Sequence, residues 1–456
     1  MLQIKRYLTS LIMSKSRLPV VVILGCTGTG KSKLAINLAT KFGGEIISAD
    51  SMQVYKGLDI VTNKVSVEEQ KLAPHHCIDF LDPLQRYTVV DYRNQSLPLL
   101  TKLYQDQKLP IIVGGTNYYI ESLLWEVLIQ PNDNQNILLY ESDNESPSFH
   151  APCDAAEYTA EVVLKYKITQ NSLDGVPSLD LHKCLKEIDP DMADALHPQD
   201  RRKIIRSLQV YQQTGCRHSE LLKKQHSQIG GSTVGGPLRF KRILMFWLKC
   251  DKDVLDKRLD DRVDEMISRG LLSELIEFHN SYNKKGKNNK HQYSEGIFQS
   301  IGFKEFHNYI SLSDEEKESA EGIKLLNHAI EDMKLATRQY ARKQRKWIVN
   351  RFLRKPDRQV PPVYGLDVTD LSLWEENVEQ PAIDIVNSFI ENKTVYKALP
   401  IEEGTNDVQE THFCEVCEKI LVGRQTWQIH LQSKKHCKRK ASLAKKDVRK
   451  QFSEIS

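Results

Sequence analysis

Short, wholly apolar runs alternate along this chain with longer stretches of helical periodicity. Val20 to Leu24 is β-branched and flows directly into a glycine loop, after which Leu34, Ile36, Leu38 and Phe42 fall at a spacing that suits a helix. Glu45 to Ser48 and Leu109 to Val113 read as further buried strands, each followed by a turn and then helical pattern, and Ile243 to Leu248 offers another. This alternation predicts an α/β fold built on an open parallel sheet. Between Gln130 and Ser178 the rhythm weakens, with Asn, Asp, Ser and Pro recurring from Pro131 to Pro152, and helical pattern resumes near Leu181. That change predicts an insertion into the core. Gly230 to Pro237 and the polar run Asn280 to Gln292 read as loops or linkers, and past Pro356 the core pattern ends. A looser segment then leads to a compact cysteine and histidine module at His412 to His436. No internal repeat is visible.

These shifts divide the chain into a leader over residues 1–18, a first core part over 19–130, an insertion over 131–198 and a second core part over 199–355. A linker or extension over 356–410, a finger over 411–440 and a basic tail over 441–456 complete it. At 456 residues and 40% apolar side chains the chain is long enough for two or three domains. It has no apolar run long enough to span a bilayer, so a membrane role drops out and a soluble protein is expected.

The net charge of +4 hides two late basic clusters: Arg338, Arg342, Lys343, Arg345 and Lys346, then Lys434, Lys435, Lys438, Arg439 and Lys440. Such faces suit a phosphodiester backbone. The nine cysteines show no framework of pairs apart from Cys414 and Cys417, which implies a reducing compartment. Lys5, Arg6, Lys15 and Arg17 lie among Leu2, Ile4, Leu8, Leu11 and Ile12, with no acid before Glu45, as in a mitochondrial presequence. Met13 offers a second start without that leader, so mitochondrial, cytoplasmic and nuclear pools are all expected.

The glycine loop Gly25-Cys26-Thr27-Gly28-Thr29-Gly30-Lys31-Ser32 fits G-x-x-x-x-G-K-[ST] in full, after a strand and before a helix. Its backbone N–H groups close around phosphate oxygens at a helix N-terminus, Lys31 adds a point charge, and Ser32 can ligate Mg²⁺. The loop alone does not distinguish kinases, hydrolases and transferases with a diphosphate leaving group. Two neighbours narrow the choice. Asp50, in Ser48-Ala49-Asp50-Ser51-Met52-Gln53-Val54-Tyr55, follows the second strand at the sheet edge where open sheets place their chemistry. Thr116 follows Gly114-Gly115 at the end of the third strand and presents a hydroxyl to the same edge.

Together with His197-Pro198, Arg206-Ser207-Leu208, Asp261-Arg262-Val263-Asp264-Glu265-Met266, Gln299-Ser300-Ile301-Gly302-Phe303-Lys304-Glu305 and Thr337-Arg338-Gln339-Tyr340-Ala341-Arg342-Lys343-Gln344, these blocks resemble the tRNA dimethylallyltransferase (isopentenyltransferase) family, in that family's order. The resemblance spans about residues 20 to 350 and implies a P-loop NTPase-like core. It further implies transfer of a prenyl group from dimethylallyl diphosphate to N6 of the adenosine just 3′ of certain tRNA anticodons. In those roles Asp50 is the base, Thr116 binds near the amine, and Lys31, Ser32 with Mg²⁺ and the loop amides stabilise the leaving diphosphate. Arg258 matches a family arginine that reaches the diphosphate. Asp50, Ser51, Met52 and Gln53, with Arg202, Lys203, Ile204, Ile205 and Arg206, match tRNA-contacting stretches, Gln53 as a reader of base edges. The insertion would embrace the anticodon stem-loop, the helix Arg338 to Lys346 would meet phosphates, and the chain would act as a monomer. Cys26 stands where many members have proline, and Ser300 replaces alanine, without removing a functional group.

Cys414-x2-Cys417-x12-His430-x5-His436 has the spacing of a two-cysteine, two-histidine zinc site, with a ββα fold. Four protein ligands close the coordination sphere, so this Zn²⁺ would be structural, over a small core of Phe413, Leu421, Trp427 and Leu431. The basic residues after it would add sequence-independent affinity for RNA or direct nuclear import. Two other readings share parts of this pattern: a P-loop nucleotide kinase, and a non-catalytic RNA-binding zinc-finger protein with a relic loop.

Overall fold

A computed structural model describes residues 18–127, 168, 173, 175–232, 234–284, 296–354, 357–393, 396–400 and 411–442. The leader, most of 131–174, part of the polar run after Asn280, and the tail with Lys445, Lys446 and Arg449 lie outside the described residues. The first strands and helices run β1 (Val20–Gly25), α1 (Lys31–Phe42), β2 (Glu45–Ser48), α2 (Val67–Leu72), β3 (His75–His76), α3 (Val89–Gln105), β4 (Pro110–Val113) and α4 (Asn117–Leu124). A helical segment follows, with α5 (Ser178–Ile188), α6 (Pro190–Ala195), α7 (Arg201–Thr214) and α8 (His218–His226). The core then resumes with β5 (Ile243–Lys249), α9 (Lys252–Ser268), α10 (Leu271–Lys284), α11 (Phe303–Ile310), α12 (Asp314–Glu318), α13 (Ala320–Ile348), β6 (Val363–Asp367) and α14 (Gln380–Ile390). β7 (Thr411–Cys414), β8 (Lys419–Val422) and α15 (Arg424–Gln432) come last.

Six strands form a parallel sheet in the order β3-β2-β4-β1-β5-β6, with Val21 opposite both Ile111 and Leu244. Every residue of β1 is buried, because both faces of the sheet are covered. Val20, Val22 and Leu24 pack towards α3 and α4, whereas Val21 and Ile23 pack towards α1 and α14. A third cluster joins Val54, Tyr55, Leu58 and Val61 to α9, α10, α11 and α13 through Val263, Leu275, Phe306 and Met333. Behind α4, Glu121 is wholly buried and takes two cations, Arg351 and Arg358, each at 2.7 Å. Arg358 also lies 3.9 Å from the ring centre of Trp125.

The long helix α13 is fastened to α9 by a ladder of ion pairs. Lys334 meets Asp264 at 2.8 Å, Arg338 meets Asp260, and Arg342 meets Asp256 at 2.9 Å. Residues four apart share one helix face, so antiparallel helices bring the three pairs into register. Lys343, Arg345 and Lys346 remain exposed.

The chain divides into two compact units, one from residues 1–128 and 229–403, the other from 129–228 and 404–456. The inserted unit therefore extends beyond 198, because Ile204, Ile205 and Leu208 of α7 share a core with Leu181, Leu185 and Met192. Within that unit the finger meets the helices: His197 Nε2 lies 3.0 Å from the carbonyl of Ile420, and Thr411 donates to the carbonyl of Asp194 at 2.5 Å. No described helix is long and apolar enough to cross a membrane.

Candidate functional site

β1 ends in the loop 25–32, and α1 begins at Lys31. The turn into α1 needs Gly30, whose φ of 80° is left-handed and whose missing Cβ leaves room for the Trp374 ring, otherwise 2.8 Å away. Trp374, buried between β6 and α14, thus closes the back of the loop, and Lys33 Nζ stands 4.5 Å from its ring centre. Inside the loop, Lys31 Nζ donates to the carbonyl of Cys26 at 2.8 Å, and Thr29 Oγ1 donates to the same carbonyl at 2.8 Å. The Cys26 thiol donates to the carbonyl of Ala341 at 3.2 Å.

The loop opens onto a cavity of about 280 Å³ lined by Gly28, Lys31, Ser32, Asp50, Arg262 and Tyr340, among others. Asp50 enters it from the end of β2. Burial pushes its carboxyl above the usual range, although the amide of Met52 donates to Oδ1 at 2.9 Å and Lys31 pulls the other way. Burial also lowers the Lys31 ammonium to about 8, against the opposing influence of Asp50. A carboxylate and an ammonium thus face each other across a poorly solvated space, each held closer to neutrality than in water.

Thr116 begins α4, yet its hydroxyl does not cap the helix. Instead Oγ1 accepts from the amide of Ser51 at 3.0 Å and donates to Ser51 Oγ at 3.1 Å, tying the end of β4 to the Asp50 segment. Ser51 and Thr116 are therefore brought together with Asp50. Gln53 lines the same cavity, with its amide engaged at both ends. Its Nε2 donates to the carbonyls of Asn63 and Thr62 at 3.0 and 3.4 Å, and its Oε1 accepts from Ser48 Oγ at 3.2 Å. It holds the loop after Asp50 rather than presenting a free amide.

Arg258 is not among the residues lining this cavity, and its guanidinium donates to the carbonyls of Val368 and Thr369 at 3.2 Å. Arg262, one turn further along α9, is the arginine in the cavity wall. One of its NH groups donates to Thr27 Oγ1 at 2.8 Å, while its buried Nε has no partner. Burial holds this guanidinium below its ordinary pKa, against the opposing influence of Glu265. Arg262 lies within a quoted sequence block, but only the helix phase distinguishes it from Arg258. Of the α7 candidates, Ile204 and Ile205 are buried in the core of the second unit, whereas Arg202 and Lys203 are exposed and Lys203 pairs with Asp200 at 2.7 Å. Arg206 is half-buried.

In the finger, the ligand atoms of Cys414, Cys417, His430 and His436 all lie within 4.8 Å of one another. His436 Nδ1 is 3.5 Å from each sulfur and 3.2 Å from His430 Nε2. Zinc bonds of about 2.0–2.3 Å in a tetrahedron require edges of about 3.3–3.8 Å, so the residues fit this ion. The finger's core differs from the sequence expectation: Phe413 and Leu431 are 59% and 39% exposed. His412, on the other face of β7, stacks on Trp427 with ring centres 5.1 Å apart, because strand side chains alternate and Cys414 fixes the inward face.

Comparisons with known proteins add their own observations. A family model described as IPP transferase matches residues 53–351, one described as isopentenyl transferase matches 18–74, and one described as a zinc finger of C2H2 type matches 412–436. A tRNA dimethylallyltransferase of Homo sapiens is 48% identical over 92% of this chain and 85% of its own length. That of Saccharomyces cerevisiae is 34% identical over 91% of each chain, and that of Bacillus subtilis is 31% identical over 77% of this chain and 94% of its own. A solved eukaryotic dimethylallyltransferase described as acting on tRNA superposes with a TM-score of 0.74 at 31% identity, covering 96% of this chain and 99% of that one.

Proposed function

The chain belongs to the IPP transferase family, which includes tRNA dimethylallyltransferase, and on that premise we propose that it prenylates tRNA at the cavity where its phosphate loop faces Asp50. The donor is dimethylallyl diphosphate and the acceptor is N6 of the adenosine just 3′ of the anticodon. The observation that carries this reading is the joining of Lys31, Arg262, Asp50 and Tyr340 in one cavity of about 280 Å³.

Bound there, the diphosphate meets the loop amides, Lys31 and the unpartnered Nε of Arg262. Ser32 and diphosphate oxygens would hold Mg²⁺, which supplies further neutralisation of the leaving group. The bond from the prenyl C1 to the bridging oxygen breaks, and diphosphate departs with the electron pair. The adenine N6 lone pair forms the new carbon–nitrogen bond. Asp50 takes the N6 proton, a task suited to a carboxylate made more basic by burial. Thr116, anchored through Ser51 beside the cavity residues Gly114 and Gly115, is the hydroxyl we assign to the acceptor side. The target base must leave its stack to reach this depth. Exposed Arg202, Lys343, Arg345 and Lys346 are the side chains we assign to RNA phosphates, and the finger with its structural Zn²⁺ adds affinity without base readout.

A nucleotide kinase would use the same loop but transfer a phosphoryl group from ATP. Incubating the chain with an anticodon stem-loop, Mg²⁺ and either dimethylallyl diphosphate or ATP separates these readings. Prenyl adenosine formed without ATP is the expected product, and ATP turnover without prenylation would refute the reading. Asp50→Asn should abolish transfer while leaving donor binding intact.

A further inference from the structure

The inner face of α13 reaches the same cavity with Tyr340 and Gln344, and neither has been given a step in the mechanism above. Gln344 is buried, and both ends of its carboxamide are engaged. Oε1 accepts from the amide of Thr27 at 2.8 Å, and Nε2 donates to the carbonyl of Gly115 at 2.9 Å. Tyr340, one turn earlier, donates to that same carbonyl at 3.3 Å. On the other side of the Gly115–Thr116 peptide, the Thr116 amide donates to the carbonyl of Ala49 at 3.0 Å. The peptide that carries the Thr116 hydroxyl is therefore held from both sides. A Cβ at Gly115 would lie 2.7 Å from Gln344 Nε2 and 3.1 Å from Asp50 Oδ2, so the carboxamide reaches this backbone only because residue 115 is glycine.

We propose that Gln344 is a positioning residue, a strut that fixes the separation between the phosphate loop and the Asp50–Thr116 wall. This rests on the prenyl-transfer reading. A carboxamide, with an acceptor at one end and a donor at the other, bridges an N–H on the loop and a C=O on the wall at a fixed separation. The amide it takes belongs to Thr27, ahead of Gly28 to Ser32, whose amides are those left to wrap a phosphate at the start of α1. The strut thus orders the loop without competing for the ligand. Attack in line requires the reacting atoms within about 3–3.5 Å, and a displacement of about 1 Å costs on the order of 100-fold in rate.

The test compares full-length wild type, Gln344→Met, Tyr340→Phe and the double variant. Methionine keeps the length and loses both hydrogen bonds. Kd for dimethylallyl diphosphate and for an anticodon stem-loop is measured separately, alongside Tm and kcat. For Gln344→Met we expect both Kd values within about 3-fold of wild type and a folded protein, with kcat down by about 30- to 100-fold. Tyr340→Phe should cost a few-fold, and the double variant should depart from the product of the single effects, because both donors serve one carbonyl. An unchanged kcat in Gln344→Met overturns the proposal, as does a loss of kcat matched by equal losses in both affinities. A wild type that binds both ligands but prenylates nothing overturns the prenyl-transfer reading and this inference with it. An active wild type with an unaffected Gln344→Met overturns the inference alone.

Discussion

At the scale of single residues, burial sets opposite limits on Asp50 and Lys31. Asp50 stays protonated to a higher pH than an ordinary carboxyl, so its basic form appears only as pH rises through that elevated value. Lys31, lowered to about 8, loses its charge above that pH and with it the attraction for diphosphate. kcat/KM of the free enzyme should therefore rise out of the acid range and fall above about pH 8, and a flat profile from pH 7 to 9 would contradict these roles. Arg262 and Arg258 make a second contrast. Arg262→Ala should weaken donor binding by about 10- to 100-fold, the range for a charge-assisted contact of about 1.5–3 kcal/mol, whereas Arg258→Ala should leave the donor Kd unchanged. Calorimetric titration with dimethylallyl diphosphate distinguishes them. Glu121 represents a purely structural charge. Glu121→Gln leaves Arg358 buried without its counter-ion and should destabilise the first unit by about 3–5 kcal/mol, read from the denaturant midpoint.

At the scale of elements, α13 combines three faces in one helix. Lys334, Arg338 and Arg342 bind α9, Tyr340 and Gln344 face the cavity, and Lys343, Arg345 and Lys346 face solvent. The basic cluster in the sequence thus divides between ion pairs to α9 and solvent-facing cations. Replacing Lys343, Arg345 or Lys346 with Ala should lower the slope of log affinity against log salt by about 1 each, whereas Arg338→Ala should leave the slope alone and cost at most about 1 kcal/mol of stability. Salt titration of stem-loop binding measures this. Which parts of the fold were legible in sequence follows from the same geometry. β1, β4 and β5 were readable because burial on both faces favours apolar runs, and β2 through its buried Ile46-Ile47 pair. β3 is two histidines and β6 is a half-buried edge strand, so neither carries such a run. The phosphate loop, Asp50 and Thr116 were readable because each lies in a contiguous stretch joined to a strand end. Arg262, Gln344 and Trp374 were not assigned, since their roles depend on helix phase and on partners hundreds of residues away. Nor does the sequence reveal that the Gln53 amide is engaged at both ends within the chain.

At the scale of the whole molecule, the two units carry different dependences. Zinc removal should unfold the finger, since ligand closure supplies much of the stability of so small a module. A zinc-selective chelator, with Mg²⁺ kept in excess, should therefore weaken stem-loop affinity by about tenfold while the Kd for dimethylallyl diphosphate stays the same. The second unit begins at residue 129, close to where the rhythm fades, and it includes α7, whose periodicity is as regular as that of a core helix. The central place of β1 has a further consequence during synthesis. β1 is among the first described segments made, yet its neighbour β5 is made more than two hundred residues later, and Gln344 and Trp374 later still. A nascent chain must therefore expose an apolar, half-paired strand until most of the protein has left the ribosome. It is the segment we expect chaperones to shield, and the phosphate loop, though written near the beginning, is among the last parts to acquire its shape.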